Sequence, residues 1–388
     1  MFLIDLTHTS HTAARTGIQR VSRSLVQSLG PAAVGVTRDP YLRAWRPLED
    51  WERAQLADGR GRAAGTQWPL RRKWHARVRR GLGRAARHAV QGEFEGLIEP
   101  ELFSAPVARD LPKLLTLVRG PRVALFHDAL ALRQPDLTPA ATVARLPAYL
   151  QELLRFDGIA AVSADSRDSL LSYWQWLGIA HPPPVVAIPL AADPPPAAAT
   201  PATADQARPV VLSVGTIEGR KNHLALLEAC EQLWAAGRDF ELHLVGHLNA
   251  ATGRAAVTRI RALQGAGRPL RYDGPASDEA VAAAYAASTF TVYPSLGEGF
   301  GLPVIESLVR GRPCVCSSRG AIGEISRGGG CVALDLVDGP ALARGLAQLL
   351  DSPETRATLA AAASARRFKT WADYTRELTA WMQTLPRR

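Results

Sequence analysis

Short apolar runs alternate along this chain with segments of helical periodicity, most regularly in its second half. Residues 209–215, 240–246, 270–272, 290–294 and 313–316 are apolar runs rich in β-branched side chains, and each predicts a strand. Between them, 224–235, 257–263, 278–287 and 302–310 have helical spacing. The first half begins the same way. Residues 2–6 predict a strand and 7–15 a loop. Residues 16–29 predict a helix with Ile18, Val21, Leu25 and Leu29 on one face, stopped by Gly30-Pro31, and 34–37 a second strand. Apolar runs at 121–128, 156–163 and 182–189 add further strands, the first ending in His127-Asp128. Residues 45–91 have no clear period, and 339–388 read as helical throughout. This alternation predicts an α/β fold of doubly wound, mostly parallel, Rossmann-like sheets.

The Pro-, Ala- and Thr-rich stretch 193–208, with Pro194-Pro195-Pro196, marks a linker. It divides the chain into 1–205, 206–365 and a terminal helical segment, 366–388. A length of 388 residues suits two domains, and 47% hydrophobic with 21% charged residues suits a globular protein. No apolar run reaches the length of a membrane span. Met1-Phe2-Leu3-Ile4 is too short for a signal-peptide core, so a cytoplasmic location is expected. Cys230, Cys314, Cys316 and Cys331 lack the paired spacing of a zinc site and suit reduced, packed thiols.

Charge changes the picture in one place. Arg60, Arg62, Arg71, Arg72, Lys73, Arg77, Arg79, Arg80, Arg84 and Arg87 follow one another with no acid between Asp58 and Glu93. Setting these ten aside leaves 36 cations against 36 acids, so the whole net charge of +10 resides in this segment. Leu70, Trp74, Val78, Leu82 and Ala86 recur every four residues within it, the outline of a basic amphipathic helix interrupted by Gly81 and Gly83. Two readings stand side by side. Either the helix packs on its domain through the apolar stripe and solvates its cations, or it meets an anionic membrane surface, which would place the protein peripherally on the inner face. Nucleic acid ranks below both, because no nucleic-acid-binding module accompanies the charge.

Candidate chemistry gathers in residues 295–306, Ser-Leu-Gly-Glu-Gly-Phe-Gly-Leu-Pro-Val-Ile-Glu. A glycine loop lets backbone amides approach a ligand, and Pro303 suits the first turn of the helix that follows. Glu298 and Glu306 would repel phosphate but accept hydrogen bonds from sugar hydroxyls. Arg220-Lys221, on the loop after the strand ending at Gly215, suit a diphosphate, although two solvated cations would look the same. His127, at a strand's carboxyl end, suits chemistry in the cleft or a structural hydrogen bond. Gly17 fits a ligand-approaching loop and a plain turn equally.

Taken in order, Gly215, Arg220-Lys221-Asn222, Gly246 and the run from Glu298 to Glu306 resemble the nucleotide-sugar domain of retaining GT-B glycosyltransferases of family 4, the group 1 type. The resemblance covers 209–365. Thr16-Gly17-Ile18 with Arg20, and Phe126-His127-Asp128, resemble the family's first domain more loosely. It implies a GT-B fold of two Rossmann-like domains facing a cleft, with the terminal helix crossing back to the first domain. It also implies retaining, metal-independent transfer of a hexose, mannose or similar, from a nucleotide-diphosphate sugar to a glycan or lipid-linked acceptor in polysaccharide synthesis, with no cofactor.

The resemblance further implies catalytic roles for Glu298, His127, Arg220 and Lys221. Donor contacts would come from Gly17, Gly215, Arg220, Lys221, Gly299, Phe300, Gly301, Leu302 and Glu306. Front-face departure is expected, with Glu298 binding the sugar rather than attacking it. A sugar-nucleotide epimerase, a phosphorylase and a non-catalytic sugar-nucleotide-binding protein are the rival readings.

Overall fold

The computed structural model describes residues 1–12, 17–57, 68–82, 88–192 and 208–386. Thr16, four of the ten clustered cations (Arg60, Arg62, Arg84, Arg87), Gly83, Ala86 and all of the expected linker except Arg208 lie outside these residues.

Seven strands form the first sheet: β1 (Phe2–Asp5), β2 (Ala33–Asp39), β3 (Ala44–Pro47), β4 (Gly96–Glu99), β5 (Arg122–Phe126), β6 (Gly158–Ala161) and β7 (Val185–Ala187). Their spatial order is β3-β2-β1-β4-β5-β6-β7, parallel except for β3. Six parallel strands form the second: β8 (Val210–Val214), β9 (Glu241–Val245), β10 (Leu270–Tyr272), β11 (Phe290–Tyr293), β12 (Cys314–Ser317) and β13 (Cys331–Leu334), in the order β10-β9-β8-β11-β12-β13. Both orders reverse direction once, between β1 and β4 and between β8 and β11. A ligand crevice opens outside the carboxyl ends of the strands at such a reversal.

The predicted strands at 2–6, 34–37, 121–128, 209–215, 240–246, 270–272, 290–294 and 313–316 are present with shifts of a few residues at their ends. Three strands were not predicted. β3 lies inside the region read as irregular and pairs antiparallel at the sheet edge, Val36 opposite Pro47. β4 and β13 are four-residue strands that the apolar runs did not mark. Residues 339–388 are not one continuous helical stretch. Helices Gly339–Asp351, Pro353–Ser364 and Trp371–Thr384 are separated by Ser352 and by residues 365–370, and Ser352 and Thr370 cap the helices that follow them.

The terminal helix Trp371–Thr384 packs on helix Gly17–Leu29 of the first domain. Tyr374, Leu378, Met382 and Leu385 are buried in one apolar cluster with Ile4, Val21 and Leu25. Thr375 Oγ1 donates to Ser28 Oγ at 2.8 Å. Just before this helix, the amide of Ala192 donates to Lys369 O at 3.0 Å.

The basic helix forms over Leu70–Gly81 but does not use its apolar stripe for packing. Leu70, Trp74, Val78 and Leu82 are 81%, 64%, 36% and 61% exposed, and only Ala76 of this helix is buried. The opposite face is held by its cations. Arg72 and Arg79 pair with Glu49, and Lys73 and Arg77 lie over the Tyr41 ring. The reading in which the stripe packs against the domain is thereby overturned: charge holds the helix down and the apolar residues face out.

Candidate active site

The loop after β8 carries Arg220 and Lys221, and the loop after β11 carries Ser295 to Gly301, so the second sheet's reversal brings the two motifs together. Glu298 lies between the cations. Its Oε2 accepts from Arg220 Nη1 at 2.7 Å, and its Oε1 accepts from Lys221 Nζ at 2.6 Å and from Tyr293 OH at 2.9 Å. Ser295 Oγ donates to the same Oε1, and Lys221 Nζ donates to Tyr293 OH. Glu218 pairs with Arg220 Nη2 at 2.8 Å, so two cations face two carboxylates. Burial alone would raise the Glu298 carboxyl, but Lys221 and Arg220 hold it down at about 2. Burial lowers the Lys221 ammonium, opposed by Glu298. Lys221 is nearly covered while Arg220 keeps a quarter of its side chain open, so Arg220 is the better placed to meet a ligand.

Glycine is required at two points of this loop. Gly301 has φ +117° as it caps helix Leu302–Val309, a conformation L side chains rarely adopt. Gly299 has no room for a side chain, because a Cβ there would lie 2.1 Å from His127 O. The Gly299 loop therefore rests directly on the His127 strand end of the other domain. Gly299→Ala is expected to push the two apart, lower kcat on the order of tenfold, as small misplacements of reacting groups do, and lower the melting temperature; steady-state kinetics beside thermal melts would check this.

The contact is reinforced by hydroxyls. Ser163 Oγ donates to Gly299 O at 2.6 Å and also accepts the Ser166 amide as the cap of helix Ala164–Trp176. Ser166 Oγ donates to His127 O at 2.8 Å. Glu324 of the second domain accepts the amides of Ala164 and Asp165 at 3.0 and 2.7 Å, placing a carboxylate at that helix's positive end. His127 is buried, and its Nε2 donates to Pro100 O at 2.8 Å, which leaves Nδ1 unprotonated in the neutral ring. Burial lowers its pKa despite the Pro100 bond, so neutral is the resting form.

Glu306, on helix Leu302–Val309, pairs with Arg20 Nη1 at 2.5 Å across the cleft and accepts from Tyr285 OH at 3.0 Å. Gly17 opens the helix that carries Arg20, and a Cβ there would meet Leu302 Cδ1 only at 3.9 Å, so space alone does not demand glycine. Phe300 buries its ring in the cluster shared by the domains, so only its backbone is placed to face a ligand. Gly215, at the end of β8, donates its amide to Val245 O.

The structure thus brings Arg220, Lys221, Glu298, Gly299 and His127 into one place and sets Glu306 beside Arg20. Sequence reasoning missed Glu218, Tyr293, Ser295, Ser163, Ser166 and Glu324. Ser295 opens the motif already quoted, and Tyr293 lies in the predicted strand just before it. The others reach the site only through folding.

It also missed the acids beneath the first sheet's reversal. Glu101 accepts the amides of His8 and Thr9 at 2.7 and 2.8 Å, fixing the loop after β1. Burial, with Asp5 nearby, pushes Glu101 up to about 7. Among the described residues no group of three or more His, Cys, Asp and Glu side chains is arranged to hold a metal ion.

Two Rossmann-like domains with their strand ends facing a shared cleft define the GT-B class, and solved structures agree over the full chain. HepE from Anabaena, described in complex with UDP and glucose, superposes with a TM-score of 0.71 at 14% identity over 99% of each chain. Sucrose-phosphate synthase from Thermosynechococcus elongatus gives 0.68 at 17% identity over 98% of each. Residues 200–366 match the model of the family described as Glycosyl transferases group 1. It is 27% identical over 356 residues to the serotype-specific mannosyltransferase WbdA of Escherichia coli, covering 84% of this chain and 40% of that protein. It is 35% identical over 162 residues to the O-antigen chain mannosyltransferase B of Escherichia coli, covering 40% of this chain and 41% of that protein. The matched stretches span about two fifths of the length of each of these relatives.

Proposed function

We propose that this protein is a retaining glycosyltransferase that moves a hexose, mannose by likeness to its relatives, from a nucleotide-diphosphate sugar to a hydroxyl of a glycan or lipid-linked acceptor in polysaccharide synthesis. The observation that carries the reading is the Arg220–Glu298–Lys221 cluster at the β8/β11 reversal, next to Gly299, whose backbone rests on His127 of the facing domain. The names of the mannosyltransferase relatives, and a structural neighbour described with UDP-glucose, support the donor class.

In this reading the diphosphate binds Arg220 and Lys221, which stabilise the negative charge that grows as the bond from the anomeric carbon to the phosphate oxygen breaks. Each cation that turns to the diphosphate releases an oxygen of Glu298, which then accepts the sugar's hydroxyls. Glu306 exchanges Arg20 for the ribose hydroxyls in the same way. The amides of Gly299, Phe300 and Gly301 line the sugar's path, and neutral His127 offers an acceptor to it. The acceptor oxygen bonds to the anomeric carbon on the face the diphosphate leaves, and the acceptor's proton passes to the departing phosphate.

No metal and no cofactor enter this scheme, and the reaction takes place in the cytoplasm. The test is incubation of the full chain with GDP-mannose, UDP-glucose and other nucleotide sugars and mannose-terminated oligosaccharide acceptors, with and without chelator. An α-linked product from an α-linked donor, formed equally with chelator, is expected. Donor conversion without acceptor would support the epimerase instead, and donor binding without turnover the binding protein.

A further inference from the structure

The geometry points to helix Leu70–Gly81 as a docking surface for an anionic lipid bilayer, which the protein meets with the exposed stripe Leu70, Trp74, Val78 and Leu82. This rests on the proposed function only in making a membrane-linked acceptor its purpose.

A surface helix of a globular protein normally turns its apolar stripe to the core. This helix does the reverse. Its sole buried residue is Ala76, and the apolar side chains stand on the opposite side, where nothing in the chain covers them among the described residues. Arg71 shares that outer face. His75 flanks it on one side, and Arg77 and Arg80, exposed although they also touch Tyr41, flank it on the other. Leu70–Gly81 contains six cations and no acid. An apolar stripe with a tryptophan at its centre and cations around its border matches the interface of an anionic bilayer: the rings and aliphatic groups enter the acyl boundary while the cations meet phosphate headgroups. A protein partner of ordinary surface composition would leave those cations without counter-charge.

The attachment is not a loose tether. Glu49 holds Arg72 and Arg79 from below, and Arg80 Nη1 donates to Tyr41 O. Trp68, two residues before the helix, stacks on His11 at 4.2 Å between ring centroids. His11 belongs to the loop after β1, whose amides Glu101 fixes at the first sheet's reversal. A helix seated on a bilayer is thus braced against the cleft loop of the acceptor-side domain.

The test uses the full chain and sedimentation with vesicles of phosphatidylcholine alone and of phosphatidylcholine mixed with phosphatidylglycerol. Binding is expected only with phosphatidylglycerol, weakening as salt rises. Trp74→Ser with Val78→Ser should reduce it on the order of tenfold or more, as should Arg71→Glu, with transfer to a water-soluble acceptor unchanged. Quenching of tryptophan fluorescence by brominated lipid should appear in the wild type and largely vanish in Trp74→Phe. Equal sedimentation of wild type and the Trp74/Val78 variant, no binding to anionic vesicles, or a dimer in solution that the Trp74→Ser change dissolves would each overturn the proposal. Vesicle binding without any glycosyl transfer would overturn the enzyme reading and leave the docking surface intact.

Discussion

Arg220→Ala is expected to lower kcat by about 10² to 10³, the usual consequence of removing one well-placed donor from the charge that develops in a transition state. The loss should fall on kcat more than on donor KM, because the charge on the diphosphate is greatest as the glycosyl bond breaks. Lys221 cannot compensate. It is buried, its ammonium is already pushed down by burial, and its counter-charge is the same Glu298. Glu298→Gln provides the complementary reading. Without that carboxylate, Lys221 and Arg220 repel each other inside the protein, and Lys221 sheds its proton more readily. Activity in Glu298→Gln should therefore fall further as pH rises, a dependence that Arg220→Ala should not share. Steady-state kinetics across pH on the wild type and both variants would check it; full activity in Arg220→Ala would sink the site assignment.

Glu52→Ala is expected to lower folding stability by about 3 to 5 kcal/mol, the range for a buried ion pair left with one partner. Glu52 is fully buried and every contact is made: Arg46 grips it in a fork, Nη1 to Oε2 at 2.7 Å and Nη2 to Oε1 at 2.8 Å. His11 Nε2 lies 2.8 Å from Oε1, and the Glu49 amide donates to Oε2 at 2.7 Å. Its loss would leave Arg46, 5% exposed, with Asp39 as its remaining paired carboxylate. Burial works to raise the Glu52 carboxyl, but His11 and Arg46 win and hold it at about 2, below its ordinary 4.5. A folded pKa below the unfolded one means the stabilisation is complete above pH 4.5 and is lost as pH falls towards 2. Urea midpoints of wild type and Glu52→Ala should therefore lie far apart at pH 6 and converge in acid. Midpoints that stay equally far apart down to pH 3 would contradict this assignment.

The second domain was readable because its parallel strands are apolar on both faces and its loops carry local motifs. Arg220, Lys221 and Glu298 could each be picked out within such a loop. Their mutual pairing could not, since Arg220 and Glu298 are 78 positions apart and meet only through the β8/β11 reversal. Glu218 looked like any loop acid, and Ser163 and Glu324 act across the cleft, where no local pattern records a partner. In the first domain, β3 and β4 are short, and the acids Glu52, Glu99 and Glu101 had no reading because buried carboxylates look in sequence like solvated ones. The basic helix is the clearest case. Its period gave the stripe correctly, but a period does not say which way the stripe turns.

Residues 365–370 return the backbone from the second domain to the first, and the amide of Ala192 donates to Lys369 O within that return. Held to the first domain at its far end, the return segment keeps only a short free length, so an opening that frees the Gly299 loop from His127 is expected to pivot near residues 365–368.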